Sequence, residues 1–146
     1  MGDIIDARRS AGRRPGPVDR GTWALTHRPQ AAREARQITE GALAQWKVAP
    51  EARDLVLLAV SELVTNAVEH AAPPLVLHLS RDPHTGQVHV EVTDGGPAAE
   101  EGDWAASCAG GEHGRGLAII DRIAVAHGDG RQADRATYWA DLPVVA

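Results

Sequence analysis

The stretch Leu58-Ala59-Val60-Ser61-Glu62-Leu63-Val64-Thr65-Asn66-Ala67-Val68-Glu69-His70-Ala71 limits the fold more than any other. With Val56, its apolar side chains Val60, Leu63, Val64, Ala67, Val68 and Ala71 recur three and four apart, the period of a helix that buries one broad stripe. Glu62, Asn66 and His70 follow at four-residue steps, so a carboxylate, an amide and an imidazole stand one above another, a turn beyond the small Ala59. A face built for solubility carries Lys, Arg and Glu. This row carries one acid and two other polar groups beside a core stripe and reads as the wall of a site, the ordinary alternative being a solvated polar stripe.

Around it the elements follow in order. Residues 1 to about 20 hold Arg8, Arg9, Arg13, Arg14 and Arg20 with Gly12, Pro15, Gly16 and Pro17, a flexible arm preceding a domain over 21–146. Thr22–His27 alternates like a strand, and Gln30–Trp46 keeps helical spacing through Ala31, Ala35, Ile38, Ala42 and Trp46. Pro50 opens the central helix and Pro73-Pro74 closes it. Leu75–Arg81 and Gln87–Asp94 form a hairpin across Asp82–Gly86, with Val88, Val90 and Val92 on one face and His89 and Glu91 on the other. Residues 95–116 contain seven glycines and no hydrophobic period, the mark of a long functional loop or lid. A third helix is expected from Leu117 to about His127, then a turn at Gly128-Asp129-Gly130 and a last strand over Ala136–Pro143. This order predicts an α+β two-layer sandwich, three helices on one face of a largely antiparallel sheet.

Composition excludes several function classes. Aromatics are 3 % against 43 % apolar residues, with no Phe, so the core is aliphatic. The net charge of −5 opposes general nucleic-acid binding, which needs a basic surface. Cys108 is the only cysteine, which removes intrachain disulfides and cysteine zinc sites. No apolar run approaches the roughly 18 residues of a membrane span, and the expectation is a soluble cytoplasmic protein. The only lysine, Lys47, belongs to no Walker sequence. Gly114-Arg115-Gly116 lacks the third glycine of the dinucleotide fingerprint, and the seven histidines form no HExxH pair.

Another way of holding a nucleotide survives. Gly114-Arg115-Gly116 leads into a helix, where backbone donors and the helix dipole favour phosphate. Asp94 ends a strand just before Gly95-Gly96, so its carboxylate can accept from an exocyclic amine such as that of adenine. Glu62 and Asn66 offer a proton acceptor and a neutral oxygen for a hard cation.

Glu62–His70, Val92–Pro97, Gly114–Ile120 and Thr137–Pro143, in this order, resemble the boxes of the Bergerat-type ATP-binding fold shared by gyrase, histidine kinases and MutL. In its short form the chain is similar to bacterial anti-sigma-factor serine/threonine kinases, over about residues 22–143. The resemblance implies ATP and Mg²⁺ as ligands, Asn66 as metal ligand, Glu62 as general base and Asp94 as adenine anchor. It makes Gly96, Gly114 and Gly116 the phosphate lid, joined by Arg115 and Leu117, and Thr137 a helper of Asp94. It also implies a sigma factor and an anti-sigma antagonist as partners, no direct nucleic-acid or membrane contact, and a homodimer in which Trp23 is a candidate contact. His70 receives no role. The last glycine of the family's first glycine box is Ala98 here, and Glu100, Glu101, Asp103 and Glu112 surround the expected phosphate site with negative charge. Two functions follow: a protein kinase that sequesters a sigma factor, or a module whose bound nucleotide only sets a surface that a protein partner reads. The catalytic piece of a histidine kinase fits less well, since residues 1–20 cannot form a phospho-acceptor helix pair.

Overall fold

The computed structural model describes residues 19–97 and 112–143, with residues 112–117 described by backbone alone. In chain order the elements are β1 (Arg20–Leu25), α1 (Ala31–Gln45), α2 (Pro50–His70), β2 (Leu75–Arg81), β3 (Val88–Asp94), α3 (Glu112–Ile123), β4 (Ala126–Gln132) and β5 (Arg135–Leu142). The sheet order is β1-β2-β3-β5-β4 and every pairing is antiparallel. Three helices and this sheet make the expected α+β sandwich.

Alternation along the strands separates the two faces. Leu75, Leu77 and Leu79 of β2, Val88, Val90 and Val92 of β3, and Ala140 and Leu142 of β5 are buried against the helices. From the helix side come Ala35, Leu43, Val56, Val60, Val64 and Ile120, all 1 % exposed or less. A core of branched aliphatics fits a chain without Phe, because β-branched residues pack well on a pleated surface. Trp23 lies on this inner face, opposite Leu77, with its ring over Gly21, and packs against the core.

Between α1 and α2 the chain reverses in a Schellman motif. Lys47 N–H donates to the Ala44 carbonyl at 3.0 Å and Val48 N–H to the Leu43 carbonyl at 2.9 Å. Lys47 takes φ 60°, while Leu43 and Val48 are both buried, as the motif requires. Arg81 holds the turn from the sheet, donating from Nη1 to the Trp46 carbonyl at 2.6 Å and pairing through Nη2 with Asp19 at 2.6 Å.

Three boundaries differ from the sequence expectation. β1 starts at Arg20, so Asp19 and Arg20 belong to the fold, while the rest of the expected arm, residues 1–18, lies outside the described residues. The third helix begins at Glu112 and ends at Ile123, not at Leu117 and His127. Each glycine costs a helix about 1 kcal/mol relative to alanine, and that intrinsic cost argued for a loop through Gly116, but packing against α2 overrides it. Gly128-Asp129-Gly130 is the middle of strand β4, not a turn. AHGDGRQ has almost no strand propensity, yet an edge strand needs only one neighbour, and β5 supplies the pairing.

Candidate functional site

Asp94, the last residue of β3, is 2 % exposed and faces the helix layer. A buried carboxylate requires hydrogen-bond donors, and its Oδ1 accepts from Gly96 N–H at 2.8 Å. The next two residues are locked to the end of α2. Gly95 N–H donates to the Ala72 carbonyl at 2.7 Å, Ala72 N–H donates to the Gly96 carbonyl at 2.8 Å, and Ala71 pairs with Pro97. Both glycines are obligatory for this approach. A Cβ on Gly95 would stand 2.1 Å from the Pro73 carbonyl oxygen, and Gly96 has φ +90°.

This lock places Asp94 at the C-terminal end of α2. Asn66 lies five residues before Ala71, about 7 Å along the helix axis, and Glu62 one turn farther. Both are half-buried. His70, the last residue of α2, is buried, with Nε2 3.8 Å from the exposed Glu69 carboxylate. Gly114, Arg115, Gly116 and Leu117 fall in the first two turns of α3, which packs on α2. The side chains of Glu112, Arg115 and Leu117, and the residues Ala98, Glu100, Glu101 and Asp103, lie outside what is described.

Thr137 does not join Asp94. In the β3–β5 register Asp94 pairs with Ala136, and Thr137 pairs with Thr93, their hydroxyls 3.2 Å apart. Neighbouring residues on a strand point to opposite faces, so Thr137 projects from the outer face, where it helps line a hollow of about 360 Å³ with Thr93, Gly130, Gln132 and Arg135. The residues that do share the inner face near Asp94 are Ala136 and Tyr138 of β5 and Arg131 of β4. Burial raises the Tyr138 pKa, the nearby Asp94 and Asp129 carboxylates add to the rise, and Arg131, which hydrogen-bonds the phenol, opposes it. Arg131 escaped the sequence reading because β4 did, and Tyr138, in the expected last strand, because only the register with β3 shows that it shares a face with Asp94.

The outer face carries a second polar group of side chains. His89 donates from Nδ1–H to Asp141 Oδ1 at 2.6 Å and from Nε2–H to Glu91 Oε1 at 3.0 Å, and its ring stacks on Trp139 with centroids 5.7 Å apart. Burial works against charge on His89, but hydrogen bonds and the charges of Glu91 and Asp141 outweigh it and the pKa is raised. On the neighbouring strand burial lowers the His78 pKa, helped by His89 and Arg20 and opposed by Glu91.

The residues suit an adenine nucleotide with magnesium. Asp94 is a sequestered acceptor, and Asn66 offers one neutral oxygen, the donor type for a hard cation that takes most of its ligands from phosphates and water. Among the described residues no group of three or more His, Cys, Asp or Glu could hold a metal by itself, and no helix is long and apolar enough to cross a membrane.

Comparison with known proteins bears on the fold and the family. The RsbU and RsbW domains of Rv1364c from Mycobacterium tuberculosis superpose with a TM-score of 0.67 at 23 % identity, over 90 % of this chain. This chain spans only 34 % of that one. The SiaB–SiaC complex from Pseudomonas aeruginosa gives a TM-score of 0.55 at 14 % identity, over 83 % of this chain and 88 % of the other. At such identities the likeness is one of fold. No curated protein sequence matches the chain. The sequence model of the histidine kinase-like ATPase domain matches residues 25–134, and the chain belongs to that family of ATP-using domains.

Proposed function

We propose that this chain is a cytoplasmic ATP-dependent serine/threonine protein kinase of the anti-sigma-factor type, acting on a small antagonist protein and sequestering a sigma factor. The observation that carries the reading is the backbone lock between Gly95-Gly96 and Ala72, which brings the buried Asp94 carboxylate to the end of the helix bearing Asn66 and Glu62. Asp94 accepts from the exocyclic amine of adenine. Asn66 is the ligand for Mg²⁺, which supplies charge neutralisation on the phosphates when bound. The first turn of α3, which leads through Gly114 into Arg115, Gly116 and Leu117, turns its free N–H groups and the positive end of the helix dipole toward the phosphates, while Gly96 donates its N–H to Asp94 Oδ1 and so holds the base anchor instead. Glu62 takes the proton of the substrate hydroxyl as its oxygen bonds the γ-phosphorus and ADP leaves, a reaction in which positioning does most of the work. A structural neighbour was solved in a two-protein complex, which supports a protein ligand for this chain too. A homodimer is part of the proposal, but the burial of Trp23 on the inner face favours other residues as its contacts.

Calorimetry with Mg-ATP tests the site: Asp94→Asn lowers affinity about 10- to 100-fold, the worth of a charged hydrogen bond, and Asn66→Ala abolishes the magnesium dependence. Labelled ATP with candidate antagonists tests the reaction, with Glu62→Gln binding nucleotide but transferring nothing. Nucleotide binding with no transfer to any partner hydroxyl leaves the chain a nucleotide-dependent protein-binding module instead.

A further inference from the structure

The lock that carries the site is itself held from the far end of the sheet. His27, two residues beyond β1, donates from Nε2–H to the Ala71 carbonyl at 2.7 Å. A carbonyl only accepts, so this contact fixes the proton on Nε2. Ala71 is the residue that ends α2 and pairs with Pro97, and the adjacent Ala72 exchanges hydrogen bonds with Gly95 and Gly96. The last carbonyls of a helix have no partner within it, and an imidazole there also meets the negative end of the helix dipole. Beyond Ala71 the chain turns at once into Ala72-Pro73-Pro74, and two prolines have no N–H with which to anchor a turn. The orientation of the Ala71-Ala72 peptides, and through them of Gly95, Gly96 and Asp94, therefore depends on contacts made from outside the segment.

We infer that His27 is a positioning residue of the nucleotide site: its Nε2–H bond to the Ala71 carbonyl sets the register of the Gly95-Gly96 loop against α2 and so aims the Asp94 carboxylate. Its role in nucleotide affinity rests on the reading of Asp94 as the base anchor; its role in the loop does not.

The test compares the full-length wild type with His27→Leu, which keeps bulk without a donor, and His27→Gln, whose amide nitrogen reaches as far as Nε2. Two readouts are taken. In the absence of nucleotide, amide hydrogen exchange at Ala72, Gly95 and Gly96 quickens about fivefold in His27→Leu, the effect of one lost neutral hydrogen bond, and returns to the wild-type rate in His27→Gln, while the β2 and β3 amides between Leu77 and Val92 are unchanged in both. With Mg-ATP, the dissociation constant rises about fivefold in His27→Leu and recovers in His27→Gln. Exchange at the loop that stays at the wild-type rate in His27→Leu, quickening spread evenly over the core strands, or failure of His27→Gln to recover each overturns the inference. A wild type that binds no Mg-ATP refutes the proposed function and leaves the exchange comparison to decide the part of His27.

Discussion

At the scale of single residues, one position separates what a motif implies from what a register imposes. Thr137 falls in the last of the four resembling segments, but the pairing of Asp94 with Ala136 puts its hydroxyl across the sheet from the carboxylate it was expected to assist. Thr137→Val is therefore expected to leave Mg-ATP affinity within about twofold of wild type, as for a substitution outside the site, whereas Asp94→Asn weakens it strongly; calorimetry on both decides. His89 gives a prediction of a different kind. Its pKa is raised in the folded protein, so its stabilisation is complete below the unfolded value of about 6.5 and is lost as pH rises through the higher folded value. Urea unfolding of wild type and His89→Gln should show a stability difference that shrinks between about pH 6 and pH 8. The difference between the two proteins is the quantity to follow, because His78 shifts the other way and blurs the wild-type profile.

At the scale of elements, α2 joins the parts. Its inner side buries Ala52, Val56, Ala59, Val60, Leu63, Val64 and Ala67, its half-buried row presents Glu62 and Asn66, and its C-terminus docks the loop after β3. Both of its ends are held by side chains from outside the helix layer. Arg81 of β2 fastens the turn before it and His27 the peptide after it. The turn between α1 and α2 contains an avoidable cost, since Lys47 occupies a left-handed position where a Cβ is penalised. Lys47→Gly is expected to raise stability by about 0.5–1 kcal/mol, the relief of the left-handed strain less the extra chain entropy of glycine, readable as a higher urea midpoint with an unchanged slope. The β4–β5 hairpin shows the opposite bargain. β4 has little intrinsic preference for its conformation, but it brings Arg131 beside Tyr138 on the inner face, near Asp94.

For the molecule as a whole, a ligand that binds only the folded state stabilises it by mass action. At about a hundred times its dissociation constant, Mg-ATP adds about 2.7 kcal/mol, so thermal unfolding of this chain should shift upward by about 5–10 °C; an unmoved midpoint would count against any nucleotide site. Much of the architecture was legible in the order of residues alone. Apolar period set α1, α2, β2 and β3 to within a residue or two, because a buried stripe or face imposes its repeat on the sequence that fills it, and Asp94-Gly95-Gly96 announced a carboxylate beside backbone with no room for a Cβ. Periodicity is silent where burial is absent or one-sided. The exposed edge strand β4 and the glycine-bearing start of α3 carry no repeat, since pairing and packing by other segments hold them. Nor can a one-dimensional string show on which side of the sheet Thr137 emerges, or that His27 reaches Ala71 from forty-four positions away. Strand register and contacts between remote segments exist only once the chain has closed on itself, and those two things chose which polar groups share the inner face with Asp94.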